Sequence, residues 1–128
     1  MEDLTVDFHI IISESNLPPV DIIHPQPDSA FVVFTARVVL TDDIQRRLLE
    51  FDLKKRNELF RDIRTRLLSG NIEFTIIGAE AGTPRAYELF SRFFVRDNTL
   101  QDFWDTYVRL KSAVVMIVAL CRDFVEPA

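Results

Sequence analysis

The sequence predicts an α+β domain in which a largely antiparallel sheet is covered on one face by helices. Two patterns support this prediction. Short segments rich in β-branched and aromatic residues alternate apolar and other side chains with a period of two. Segments with helical spacing, each opened by a capping residue, separate and follow these strands. At 128 residues, 48% of them hydrophobic, the chain is long enough to form one domain with its own core, residues 1–128.

Three strands are expected before the first helix, in residues 5–13, 20–24 and 30–40. The first, TVDFHIIIS, places apolar residues on one face. The second lies in a segment that holds four of the six prolines, so a short edge strand is predicted there. The third, AFVVFTARVVL, has the strongest strand pattern in the chain.

A helical pattern then runs from Thr41 to Ser69. Thr41 is a capping residue, and the two aspartates after it suit the positive end of the helix dipole. Gly70 is expected to end the helix. A break near Asp52 is expected to start a second helix within this segment.

Residues 71–78 and 86–97 are expected to pair as a hairpin joined by the turn-rich AEAGTP. The side chains predicted to point inward are Ile72, Phe74, Ile76, Tyr87, Leu89, Phe93 and Val95.

The last helix is expected to begin at Thr99, with Asp102 in its first turn. From Ala113 onward this helix is apolar all round, which is typical of a helix buried on more than one side. The predicted order of elements is β-β-β-α-β-β-α.

Composition limits the classes of partner. The net charge of −5 argues against nucleic acid, because phosphate backbones attract Lys and Arg. The longest apolar run, residues 113–121, is shorter than the roughly 20 residues of a membrane span. The acidic N-terminus MEDLTVDF lacks the basic region of an export signal. A single cysteine excludes an intrachain disulfide and fits the cytoplasm.

The stretch AYELFSRFFVRD raises the question of function. If helices cover the face holding Phe93, the opposite face carries aromatic residues among charges. A solvated sheet face is expected to be polar, and an apolar patch rimmed by charges usually marks an interface. The predicted interface residues are Phe31, Val33, Phe90, Arg92, Phe94 and Arg96. Other members of this face are His9, Ile11, Arg37, Val39, Glu73, Ile77 and Glu88.

Three interpretations of this face stay open. Loop residues 18–27 or a helix end cover it, a second copy of the chain covers it as a homodimer, or a different protein binds there. A further alternative is a small-molecule pocket between the sheet and the Pro-rich segment 17–28. SRFFVRD also has residue types found on RNA-binding strands, although the glycines of that motif are missing and the chain is acidic.

The sequence carries no catalytic motif, cofactor motif or metal-ligand pattern. His9 and His24 match no ligand spacing and are expected to be ordinary polar residues. Cys121 lies at a helical core position and is expected to be buried and inert. GAEAGTPR is expected to be a turn, since it lacks the features of a phosphate loop. The long helix carries a basic strip made of Lys54 to Arg56, Arg61, Arg64 and Arg66. It is expected to be mostly a solvated face salt-bridged to the nearby Glu50, Glu58 and Asp62.

The order of elements resembles the type III secretion chaperone-like fold. The segments TDDIQRRLLEFDLKKRNELFRDIRTRLLSGNIEFTII and RFFVRDNTLQDFWDTYVRLKSAVVMIVALC are similar to an uncharacterised family of archaeal proteins with that fold. The resemblance covers roughly residues 5–125. It differs at the start, because the usual members open with a helix before the first strand.

The resemblance implies a small, acidic, cytoplasmic and usually dimeric protein that holds a protein client against apolar patches. It implies no catalytic residue. The predicted function is therefore a non-enzymatic protein-interaction or chaperone-like module, expected to form a homodimer, with no membrane or nucleic-acid partner. The contact is expected to be made by the sheet face that carries Phe90 and Phe94 or by the last helix.

Overall fold

The computed structural model describes residues 8–13, 17–24, 30–78, 83–96 and 98–126. The predicted order of elements is confirmed, and the long helical segment is divided in two. The elements are β1 Phe8–Ile12, β2 Val20–His24, β3 Phe31–Val39, α1 Asp42–Leu48, α2 Leu53–Ser69, β4 Glu73–Ile77, β5 Ala86–Phe94 and α3 Leu100–Val125.

The five strands form one antiparallel sheet in the order β1-β2-β3-β5-β4. The prediction of a strand at β2 is correct, but its placement at the sheet edge is wrong. β2 lies between β1 and β3, with Ile10 opposite Ile22 and Ile22 opposite Phe34. The prolines flank this strand rather than interrupt it, so it keeps the N–H groups that an internal position requires.

Each helix begins at the predicted capping residue. The Thr41 hydroxyl accepts from the Ile44 N–H at 3.3 Å, and the Asp52 carboxylate accepts from the Lys55 N–H at 2.9 Å. A capping box begins α3. There the Asp102 N–H donates to Thr99 Oγ1 at 3.1 Å, and the Thr99 N–H donates to Asp102 Oδ2 at 2.9 Å.

The end of α2 differs in detail from the prediction. Gly70 is the C-cap, but the left-handed residue is Asn71, with φ of 58°. The Asn71 N–H donates to Leu68 O, and the Ile72 N–H donates to Leu67 O. This is the Schellman arrangement, and its apolar contact joins the buried Leu67 and Ile72. Asn tolerates the left-handed conformation better than other residues with a side chain, apart from Asp.

The core lies between the three helices and one face of the sheet, here called the inner face. Phe34 of β3, Phe93 of β5 and Phe103 of α3 pack edge to face, with ring centroids 5.0–6.4 Å apart. At the other end of α3, Phe124 packs on Phe51 with centroids 4.6 Å apart. These contacts hold α3 against the sheet and against the link between α1 and α2.

Two residues predicted to point inward are exposed. Ile76 is 38% exposed because β4 is an edge strand and is covered on fewer sides than β5. Val95 is 53% exposed because β5 ends at Phe94, so the alternation of its side chains stops there. The other five inward residues are buried or half-buried.

Candidate interaction surface

The face of the sheet opposite the core, here called the outer sheet face, has none of the three helices on it. Strand alternation places Val32, Phe34, Ala36 and Val38 in the core. The intervening residues of β3 therefore point to the outer sheet face. The register brings them beside residues of β5, so that Phe31 lies opposite Phe94 and Thr35 opposite Phe90.

An aromatic cluster lies at one end of this face. The rings of Phe31 and Phe94 pack edge to face with centroids 5.7 Å apart. The Arg92 guanidinium lies over the Phe31 ring, 5.9 Å from its centroid, within the range of a cation–π contact. Phe94 is nevertheless 51% exposed, so this cluster presents aromatic surface to solvent.

Charged side chains on the outer sheet face pair with one another across strands. Arg37 of β3 forms a salt bridge with Glu88 of β5, directly opposite in the register. Arg92 of β5 lies 3.6 Å from Glu73 of β4. The charges within each of these two pairs balance. Asp21 of β2, opposite Thr35 in the register, adds a carboxylate to the same face.

The structure brings five of the six predicted interface residues onto the outer sheet face. They are Phe31, Val33, Phe90, Arg92 and Phe94. Arg96 is exposed but lies in the turn after β5. The function of this set as an interface stays a prediction. Ile11 and Val39, each 58% exposed, extend the apolar surface. The His9 side chain lies outside the described part of the structure.

The interpretation that the Pro-rich segment covers this face is wrong for its described part. Leu17 and Pro18 face Tyr107 and Val114 of α3, on the helix side of the sheet. Residues 20–24 form β2 itself. Residues 25–27 lie outside the described part of the structure.

The small-molecule pocket was predicted between the sheet and the Pro-rich segment 17–28. In the described part of that region, a crevice lies beside Leu17 and Pro18. Its volume is about 10 Å³, room for about one water molecule. Small-molecule sites are commonly about 300–1,000 Å³. Its residues are mainly apolar, with Lys111 the one charged side chain lining it. Nothing in the described structure therefore supports a ligand pocket at this position.

A second open apolar surface lies on α3. It consists of Leu100, Trp104, Val108 and Val115, here called the α3 stripe. The last helix is expected from the sequence as an alternative contact surface, but these residues were not identified from it. These residues are 41–72% exposed. The prediction that α3 is buried on more than one side is correct, since it packs on the sheet and on α1 and α2, but one flank stays open. The i, i+4, i+8 spacing from Leu100 to Val108 was the available signal.

The titratable groups in the core are held neutral by burial. Burial raises the pKa of the Cys121 thiol to about 11. The pKa of the Tyr87 hydroxyl is also raised, chiefly by burial, and this hydroxyl has no hydrogen-bond partner in the described structure. A thiol with a raised pKa is a poor nucleophile at neutral pH.

The described residues contain no group of three or more His, Cys, Asp or Glu side chains placed to hold a metal ion. Within the same residues, no helix is long and apolar enough to span a bilayer.

Comparison with known proteins identifies a family and a fold. The family model described as "Uncharacterized conserved protein (DUF2299)" matches residues 1–121. None of the curated proteins matches the chain significantly.

Among solved structures, an uncharacterized protein from Methanothermobacter thermautotrophicus is similar, with a TM-score of 0.84 and 14% identity over 97% of this chain and 85% of that one. A chain of the ExsC–ExsE complex has a TM-score of 0.51 and 16% identity, covering 88% of this chain and 75% of that one. A chain of the ExoU–SpcU complex from the type III secretion system of Pseudomonas aeruginosa has a TM-score of 0.49 and 11% identity over 89% and 83% of the two chains. The predicted α+β, type III secretion chaperone-like fold class is confirmed.

Proposed function

We propose that this chain, which belongs to the DUF2299 family of uncharacterized conserved proteins, is a non-enzymatic protein-interaction module that self-associates through its outer sheet face. The observation that supports this most directly is the exposed ring of Phe94, with the half-buried Phe31 and Phe90 on the same sheet face, on which none of the described helices lies. Apolar patches of this kind, rimmed by polar residues, mark interaction sites on soluble domains.

The fold supports a protein partner rather than a substrate. The similar chain in the ExsC–ExsE structure is part of a protein complex. The described part of this chain offers no cavity of ligand size beside the Pro-rich segment and no metal cluster. A chaperone-like role, in which the module holds a segment of a client protein, is the specific form of the proposal.

The distribution of charge supports a second copy of this chain as the partner that covers the outer sheet face. The whole chain has a net charge of −5, so two copies repel each other on average. On the outer sheet face, Arg37 and Arg92 balance Glu88 and Glu73. These cross-strand pairs therefore add no net repulsion to a face-to-face contact between two copies around a two-fold axis.

The acidic composition and the single cysteine support a cytoplasmic location. The similarity to a Methanothermobacter thermautotrophicus structure supports an archaeal setting for this chain.

The first test is the absolute mass in solution, measured by light scattering on a sizing column at several concentrations. We expect a dimer. The double variant Phe90→Ser/Phe94→Ser should raise the dimer dissociation constant by about a hundredfold, because buried aromatic anchors supply much of an interface's affinity. The variant should stay folded, because Phe94 is half exposed and neither ring belongs to the buried core, and circular dichroism checks this.

Val108→Ser serves as the matched control, because it removes a similarly exposed apolar side chain from the α3 stripe. It should leave the dimer intact. If the control dissociates the dimer and the sheet variant does not, the contact lies on α3. If wild-type protein is monomeric at all concentrations, self-association is wrong and the face is open to a different protein.

A further inference from the structure

Helix α2 differs in charge from the rest of the chain. Its 17 residues include six Lys or Arg and two Asp or Glu, a net charge of +4. The whole chain has a net charge of −5, so the remaining residues together carry −9. A basic helix on an acidic domain creates a local field that attracts anionic groups to that helix.

The exposed side of α2 has a defined arrangement. Leu53, Asn57, Arg61, Arg64 and Leu68 follow one another at spacings of four, four, three and four residues. At 100° per residue these positions fall within one narrow strip of the helix surface, here called the α2 stripe. All five are exposed. They lie beside the buried side of α2, since the buried Phe60 and Leu67 fall within about 40° of Leu53 around the helix.

The α2 stripe has apolar ends and a basic centre. Leu53 and Leu68 are 53% and 61% exposed and lie about 22 Å apart along the helix axis. Arg61 and Arg64 lie between them, and the exposed Lys54 lies beside the stripe. The arrangement therefore combines two apolar contact points with a cationic middle.

Glu58 lines the same hollow of the helix surface as Lys54 and Arg61, and the salt bridge within α2 lies elsewhere. Arg66, on the side of α2 opposite the stripe, pairs with Asp62 at 2.9 Å. Within the described residues, Lys54, Arg61 and Arg64 have no salt bridge. The expectation of a mostly salt-bridged face is therefore correct for Arg66 and wrong for the stripe, because neither acidic side chain of α2 forms a salt bridge with these three cations within the described residues.

We propose that the α2 stripe binds an acidic, amphipathic segment of a partner protein. Such a segment places carboxylates opposite Arg61 and Arg64 and an apolar side chain against each leucine. Guanidinium groups form paired hydrogen bonds with carboxylates, which favours this class of ligand over a neutral one. This proposal does not depend on self-association, because α2 lies on the other side of the sheet from the outer sheet face.

Nucleic acid fits the stripe less well. A phosphate chain carries its charge continuously, so beyond the stripe it meets a domain whose remaining residues carry −9. It also offers no aliphatic partner for Leu53 and Leu68. A short protein segment contacts the basic centre and both leucines, and avoids the acidic surroundings.

The experiment measures fluorescence anisotropy of a labelled synthetic 18-residue peptide at near-physiological salt. The peptide is designed as a helix with leucine near each end of one face and glutamates between them. Two comparison probes are the same peptide with lysine in place of glutamate and a single-stranded RNA of similar length. We expect the acidic peptide to bind and the lysine peptide to show no binding.

The variant Arg61→Glu/Arg64→Glu should weaken binding of the acidic peptide by about tenfold or more, since two attractive contacts become repulsive. The control Lys55→Glu/Arg109→Glu makes the same change in net charge at exposed positions off the stripe and should weaken binding less than about threefold. Circular dichroism checks that both variants are folded. The variant Phe90→Ser/Phe94→Ser should bind the peptide like wild type, which separates this test from that of self-association.

Three results would overturn the proposal. The first is that the wild-type protein does not bind the acidic peptide at millimolar concentration. The second is that Arg61→Glu/Arg64→Glu and its control Lys55→Glu/Arg109→Glu lose affinity equally. The third is that RNA binds more tightly than the peptide. The second result assigns the effect to net charge alone, and the third assigns the stripe to nucleic acid.

Discussion

The two faces of the sheet have similar side chains but opposite surroundings. Both carry phenylalanines supplied by β3 and β5. On the inner face, Phe34 is 0% exposed and packs on Phe93 and Phe103, whereas on the outer face Phe94 is 51% exposed and packs on Phe31 alone among the described rings. Residue type therefore does not distinguish the core from the contact surface in this sheet. The two are distinguished by which face the helices cover.

The largest expected effect comes from truncating one phenylalanine on each face. Phe34→Ala should lower the free energy of unfolding by about 3–5 kcal/mol, because it removes a fully buried ring and leaves a cavity. Phe94→Ala should lower it by about 1 kcal/mol or less in the monomer, since half of that ring is already in water. Urea denaturation at a concentration where the protein is monomeric measures both.

Equal losses at the two positions would show that the outer ring is covered in the monomer. The proposed interface would then have no exposed aromatic surface, and the comparison of the two faces would fail.

Much of this comparison was predictable from sequence. Period-two alternation assigns Phe34 and Phe94 to opposite faces, and Thr41, Asp52 and Thr99 mark the helix starts by their capping chemistry. These features are local, so a short stretch of chain determines them. The lengths of β4 and β5 and the internal place of β2 depend instead on which strands meet, which no single segment encodes.

The open surfaces on the helices were harder to predict for the same reason. From its hydrophobicity alone, the α3 stripe is expected to be buried. The sequence does not show that α1 and α2 leave one side of α3 uncovered. The basic strip on α2 was visible, but the separation of Arg61 and Arg64 from acidic partners depends on side-chain geometry. For an exposed surface, the sequence shows which kinds of side chain are present, and the structure shows which side chains lie next to one another.

Alkaline pH should affect the inner face, with an effect of about 2 kcal/mol. Burial raises the pKa of Cys121 from 9.0 to about 11, so the folded state holds this proton more tightly than the unfolded state. The resulting stabilisation is fully present below pH 9 and is lost as the pH rises from 9 to 11. The raised pKa of Tyr87 acts in the same direction at higher pH. Urea unfolding at pH 8 and pH 11 measures the loss.

Cys121→Ala is the control for this pH dependence, because it removes the thiol while leaving the other titratable groups. Its stability should fall less between pH 9 and pH 11 than that of the wild-type protein, whatever its stability at pH 8. If both proteins lose the same free energy, the thiol is not responsible, and the remaining titratable groups, Tyr87 among them, account for the slope.

The smallest expected effect tests the charged pairs of the outer sheet face. Arg37 and Glu88 form a cross-strand salt bridge, with their side chains 57% and 29% exposed. A double-mutant cycle with Arg37→Ala and Glu88→Ala should give a coupling energy of about 0.2–1 kcal/mol, because water and salt screen an exposed pair. The coupling should decrease further in 1 M NaCl. A coupling above about 2 kcal/mol that resists salt in the monomer would mean that the pair is shielded from water. The outer sheet face would then be a second covered layer, and the sheet would have no open face for a partner.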